Sequence, residues 1–109
     1  MLVQDFLQSS AEQFPNKTAL VYDSQRLTYN EIDTSANRIA HALISHGIKR
    51  GDRVAIYLPN SVEAVIAIFG ILKAGAIFVV INATTKRDKL IYLMNDCQAT
   101  ALFAEGRNI

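Results

Sequence analysis

The stretch RVAIYLPNSVEAVIAIFGILKAGAIFVVI, residues 53–81, decides the fold. Its first piece, RVAIYL (53–58), has the length and branching of a strand, and Pro59 closes it because proline cannot donate to a ladder. Asn60 is placed to cap a helix, with Glu63 answering three residues on. The helix expected over roughly residues 61–74 is apolar on almost every side, from Val62 and Val65 to Ile71 and Leu72, so more than one neighbour should cover it. Gly75 ends it, and AIFVVI (76–81) is an unbroken apolar run, the pattern of a parallel strand buried on both faces. Strand, helix and strand in this order predict a right-handed βαβ crossover.

Downstream, Asn82-Ala83-Thr84 supplies a turn and Thr85-x-x-Asp88 offers another helix cap. Leu90, Ile91, Leu93 and Met94 give the next helix an apolar face, and ATALFA (99–104) reads as a last strand. The three candidate strands start about two dozen residues apart, the spacing of repeated crossovers. Upstream, Thr28 followed by Glu31 matches a capping box. The helix it starts carries the apolar stripe Tyr29, Ile32, Ala36, Ile39, Ala40 and Leu43, with Asn30, Asp33, Asn37, Arg38, His41 and Ser45 on the other side. Gly47 is placed to end it. ALVY (19–22) and QRLT (25–28) flank Asp23-Ser24 as a tight hairpin. Before them, Leu2, Val3, Phe6, Leu7, Ala11 and Phe14 recur at helical spacing until Pro15. The fold class is therefore α/β: an N-terminal helix and β-hairpin followed by a βαβαβ unit with a mainly parallel sheet, residues 1–109 forming a single unit.

Composition narrows the function classes. The chain has 109 residues, half of them apolar and 19% charged, enough for a packed core. Lys plus Arg number 11 against 10 Asp plus Glu, a balance that implies no nucleic-acid partner. A lone Cys97 forms no internal disulfide, in keeping with a cytoplasmic location. The first residues lack the basic start and apolar run of a signal peptide, and no apolar stretch reaches the roughly 18 residues of a transmembrane helix.

Candidate chemistry is sparse. No G-x-G-x-x-G or G-x-x-x-x-G-K-[ST] motif is present; Gly70 and Gly75 have the interval of the latter, but Ala76 and Ile77 follow them. Gly70 is better read as a close-packing position. His41 and His46 have no carboxylate or thiol at metal-ligand spacing and read as surface residues. Cys97 has no sequence-local base to activate it and reads as a packed thiol. Ser9, Ser10, Ser61, Thr84 and Thr85 sit in no nucleophile elbow and read as caps and turns. Lys86-Arg87-Asp88-Lys89 mixes charges as a solvated first helical turn does. No catalytic, cofactor-binding or metal-binding residue is assigned.

Taken in order, residues 27–82 resemble the opening of the AMP-forming acyl-CoA synthetases and adenylation domains, the adenylate-forming superfamily. The resemblance is carried by LTYNEI (27–32), GIKRGDRV (47–54), LPNSVE (58–63) and LKAG (72–75), with FPNK (14–17) before ALV (19–21). Residues 78–97 look more like the acyl-CoA ligase branch than the peptide-synthetase branch. Members often carry proline at the position of Val80 or Ala83, and here both are replaced. The resemblance implies a parent ligase that activates a carboxylic acid with ATP and Mg²⁺ to an acyl-adenylate, then forms a thioester with CoA or a carrier protein. The family's phosphate loop, nucleotide contacts, acyl pocket and catalytic lysine all follow the portion seen here. Residues 1–109 are thus expected to be a partial domain, a noncatalytic N-terminal fragment with no cofactor of its own. Two other readings follow: an α/β interaction module that self-associates through apolar surface, or an unrelated small-molecule binding module.

Overall fold

The computed structural model describes residues 3–22 and 25–104. The helical repeat that stops before Pro15 becomes α1 (Val3–Gln13), whose Leu7 and Ala11 are buried. Phe6 and Phe14, expected on the same apolar stripe, are 59% and 54% exposed. Phe14 lies beyond the helix with the Lys17 ammonium 5.6 Å from its ring centre. The hairpin strands are β1 (Thr18–Tyr22) and β2 (Gln25–Thr28), paired antiparallel with a register shift between Thr18 and Leu20. The turn expected at Asp23-Ser24 lies outside the described residues.

The capping box forms as its residues dictate. The Glu31 amide donates to Thr28 Oγ1 at 3.2 Å and the Thr28 amide to Glu31 Oε1 at 3.0 Å, opening α2 (Tyr29–Ser45). Thr28→Ala removes one half of this reciprocal pair and should lower stability by about 0.5–2 kcal/mol, read from the midpoint of urea unfolding. Gly47, at φ +92°, takes the left-handed position that follows the helix. Ile32, Ala36, Ala40 and Leu43 form its buried stripe as expected. Asp33, expected among solvated residues, is instead largely buried: Lys73 of the next helix places its ammonium 2.8 Å from Asp33 Oδ1. Asp33 lies three residues before Ala36, at the border of the stripe, where a neighbouring helix can reach it.

The strand at the centre is β3 (Arg53–Tyr57), followed by α3 (Val62–Lys73) and β4 (Ile77–Val80), then α4 (Arg87–Asp96) and β5 (Ala99–Ala104). The sheet order is β4-β3-β5, all parallel, so each connection is a crossover. Alternation along β3 sends Val54 and Ile56 to one face, where they pack with Ala67 and Ile71 of α3 and Leu43 of α2. A second cluster joins Leu7, Ile32 and Ala36, with Leu20, Leu27 and Phe69 against it. The nearly all-apolar α3 is covered as expected by several neighbours, packing against α1, α2, β3 and β4.

Three local expectations shift. The cap of α3 is Ser61, whose hydroxyl accepts from the Ala64 amide at 3.1 Å, not Asn60 with Glu63. The cap of α4 is Lys86, with no side-chain bond, not Thr85. Thr85 is held in the preceding loop: its amide donates to the Asn82 carbonyl and its own carbonyl accepts from the Tyr57 hydroxyl. Finally, β4 was expected to be buried on both faces, yet Ile77 is 49% and Val80 61% exposed. It is an end strand with only β3 beside it among the described residues, and α3 covers a single face.

Candidate functional site

In open parallel sheets, ligands bind outside the carboxyl ends of the strands, where successive connections leave on opposite faces. This sheet has such a point. The β3 to β4 and β4 to β5 crossovers run in opposite directions from and across β3, so one handedness places their helices on opposite faces. Side-chain alternation agrees, because Val54 and Ile56 meet α3 while Tyr57, on the other face, bonds Thr85 just before α4.

That point falls between β3 and β5, whose carboxyl ends border a cleft of about 330 Å³ with Leu58, Glu63, Phe103 and Ala104 on its walls. The carboxyl ends of β3 and β4 border a second, open cleft of about 450 Å³, lined by Leu58, Pro59, Asn60 and by residues 80–84. Its polar groups are largely committed to the turn itself. Asn82 Oδ1 accepts from the Thr84 amide at 2.9 Å and from Thr84 Oγ1 at 2.8 Å, an Asx turn. The Ser61 hydroxyl is occupied by its cap. No ionisable side chain lines this cleft, so its walls offer hydrogen bonds and apolar contact but no acid, base or countercharge for a phosphate.

The glycines do not form a phosphate cradle either. Gly70 is enclosed by helix packing: a Cβ there would lie 2.4 Å from Ile39 Cγ2. Gly75, at φ +79°, stands at the amino end of β4, the opposite edge of the sheet, where its carbonyl accepts from the Gly51 amide. The side chains at the β3–β4 cleft thus offer a phosphate no countercharge.

The other sequence candidates are scattered. His41 is exposed, and His46 is exposed with Nδ1 2.8 Å from the Ala42 carbonyl. The Cys97 thiol, half-buried at the end of α4, donates to the Met94 carbonyl at 3.6 Å. Ser9 and Ser10 lie half-buried on α1, and Lys86, Arg87, Asp88 and Lys89 are exposed. Among the described residues no group of His, Cys, Asp or Glu could hold a metal ion, and no helix is long and apolar enough to cross a membrane. The candidates that adjoin one another are sequence neighbours: Ser9 and Ser10 on α1, and Thr84 and Thr85 in the β4 to α4 turn with Lys86–Lys89 after them.

Comparison with known proteins places this scaffold. Residues 7–108 match the family model described as AMP-binding enzyme. A medium/long-chain-fatty-acid–CoA/3-oxocholest-4-en-26-oate–CoA ligase of Mycolicibacterium smegmatis is 38% identical over 96% of this chain and 19% of its own length. Bacitracin synthase 1 of Bacillus licheniformis is 36% identical over 96% of this chain and 2% of its own length. Among solved structures, the nonribosomal peptide synthetase FmoA3 superposes with a TM-score of 0.94 at 30% identity, over 99% of this chain and 12% of that one. The chain thus spans about a fifth or less of each of these three relatives. Identity of 36% to 38% on both sides does not separate the acyl-CoA ligase and peptide-synthetase branches.

Proposed function

Because the chain belongs to the AMP-binding enzyme family, we propose that it supplies the N-terminal scaffold of an AMP-forming acid–thiol ligase while holding none of the reacting groups. The parent enzyme activates a carboxylic acid with ATP and Mg²⁺ to an acyl-adenylate and passes the acyl group to CoA or a carrier protein, in the cytoplasm. The medium- and long-chain fatty acids in the name of the mycolicibacterial relative are the substrate class we assign. Residues 1–109 act as a single partial domain whose β3, β4 and β5 align the sheet edge on which later chain assembles its site.

The observation that carries this reading is the match of residues 7–108 to the AMP-binding enzyme model by a chain that spans 19% of its ligase relative. A scaffold of this kind positions groups supplied by other segments. Incubated with ATP, Mg²⁺ and a panel of fatty and aryl acids, the 109-residue chain should form no acyl-AMP and catalyse no ATP–pyrophosphate exchange. Turnover by this chain alone would sink the assignment.

A second role is favoured by exposed apolar residues. Ile77, Phe78 and Val80 of β4 are exposed together on one short strand, and such surface drives association when left uncovered. The chain self-associates through it.

A further inference from the structure

We propose that the Tyr57 hydroxyl is a latch on the β4 to α4 turn: while it holds the Thr85 carbonyl, α4 starts late, and its release lets Thr85 cap the helix and lengthens α4 by one residue. The start of α4 carries the argument. Its first helical bond runs from the Leu90 amide to the Lys86 carbonyl at 2.9 Å, and Lys86, at the cap position, makes no side-chain bond. The amides of residues 87–89 precede that bond and so have no acceptor within the helix. Lysine carries no acceptor to offer them.

One residue earlier stands the chemistry that a helix start requires, because Thr85-x-x-Asp88 is spaced as a capping box. With Thr85 as the cap, its hydroxyl accepts from the Asp88 amide and the Asp88 carboxylate accepts from the Thr85 amide. The Thr85 carbonyl then takes the Lys89 amide as the first helical bond. In the structure the same two backbone groups are engaged elsewhere: the carbonyl accepts from Tyr57, and the amide donates to the Asn82 carbonyl at 3.0 Å. The two arrangements compete for them. Passing from one to the other turns Lys86 from its extended ψ of 157° to the helical value of about −42°. No residue of α4 is buried to resist that movement, whereas Tyr57 is anchored on the central strand β3. A hydrogen bond and a helix cap contribute stability of similar size, so one hydroxyl is enough to decide where α4 begins. Residues 82–84 line the β3–β4 cleft, and the latch therefore also fixes the shape of that rim.

The inference is independent of the ligase reading and is tested on the 109-residue chain. Tyr57→Phe removes the hydroxyl and keeps the ring. Solvent-exchange NMR should find the Asp88 and Lys89 amides slowed by about fivefold or more, and the Lys86 Cα shift should move from extended to helical. Adding Thr85→Ala to Tyr57→Phe should return the Asp88 amide to its wild-type rate. Thr85→Ala alone should leave both amides within about twofold of wild type, because the hydroxyl does not cap α4 while the latch is closed. If Tyr57→Phe does not fold, Thr85→Asn decides: asparagine is the stronger cap, leaves Tyr57 in place and should slow the Asp88 amide by about twofold or more. Unchanged exchange in a folded Tyr57→Phe, or in Thr85→Asn where that variant decides, overturns the latch. Faster exchange in Thr85→Ala alone also overturns it, since Thr85 would already be the cap. Slowed amides that persist in the double variant overturn the part given to Thr85.

Discussion

Replacing Ile71 by alanine should lower the unfolding free energy by about 2–5 kcal/mol. Ile71 is fully buried in α3, at the centre of the cluster that joins Leu43 and Ile48 to Val54 and Ile56 of β3. Truncation leaves a void bounded on one side by a strand held in register by both its neighbours and on the other by a helix capped at Ser61. Neither wall can close the gap freely, so both the lost transfer energy and the cavity term apply. Ile71→Val removes one methylene and should cost about 0.5–1.5 kcal/mol. Urea unfolding of both variants checks the pair. An alanine variant no less stable than the valine one would mean that the α3–β3 interface relaxes into the void. Domains of this size are stable by only about 5–15 kcal/mol. Loss at this one position would therefore loosen the seat of α3 and with it residues 58–61 at the cleft.

What was legible in the sequence had local causes. The Thr28–Glu31 box is a contact between residues three apart, and the helix began where it required. Gly47 and Gly75 marked the helix ends because a left-handed backbone position selects glycine wherever the rest of the chain lies. The parallel order of three strands followed from crossover length. The misreadings depended on partners distant in sequence. IFVV is apolar enough for a central strand, but its position in the sheet is decided by which strands flank it, and β3 alone does. Asp33 looks like a solvated helix residue until Lys73, forty positions on, is brought beside it. Thr85 has the chemistry of a cap, yet Tyr57 holds its carbonyl in the loop and the helix begins later. Asn60 and Ser61 are adjacent residues of similar capping merit, and it is the Ser61 hydroxyl that takes the Ala64 amide. The candidate site was the least legible part. Its walls at the ends of β3 and β4 are turn residues with no chemical signature in one dimension.

The second large effect concerns the α2–α3 contact, where Gly70→Ala should destabilise the fold by about 1–3 kcal/mol despite alanine's better helix propensity. A Cβ at position 70 would fall 2.4 Å from Ile39 Cγ2, 2.7 Å from Ile39 Cβ and 3.2 Å from the Ala36 carbonyl oxygen. The first of these belongs to a side-chain branch, but the second is fixed to the α2 backbone and the third is backbone itself. Rotating Ile39 relieves only the first contact, so the helices must move apart. Separation would also strain the Lys73–Asp33 ion pair, which bridges the same two helices. The propensity gain of about 1 kcal/mol offsets part of this cost. A double-mutant cycle with Ile39→Ala tests the account, because that change removes Cγ2 and keeps Cβ. The cycle should show positive coupling that stops short of full rescue. Complete rescue would mean that the branch alone keeps position 70 small. No coupling would place the cost in the two contacts that Ile39→Ala leaves intact, with Ile39 Cβ and the Ala36 carbonyl.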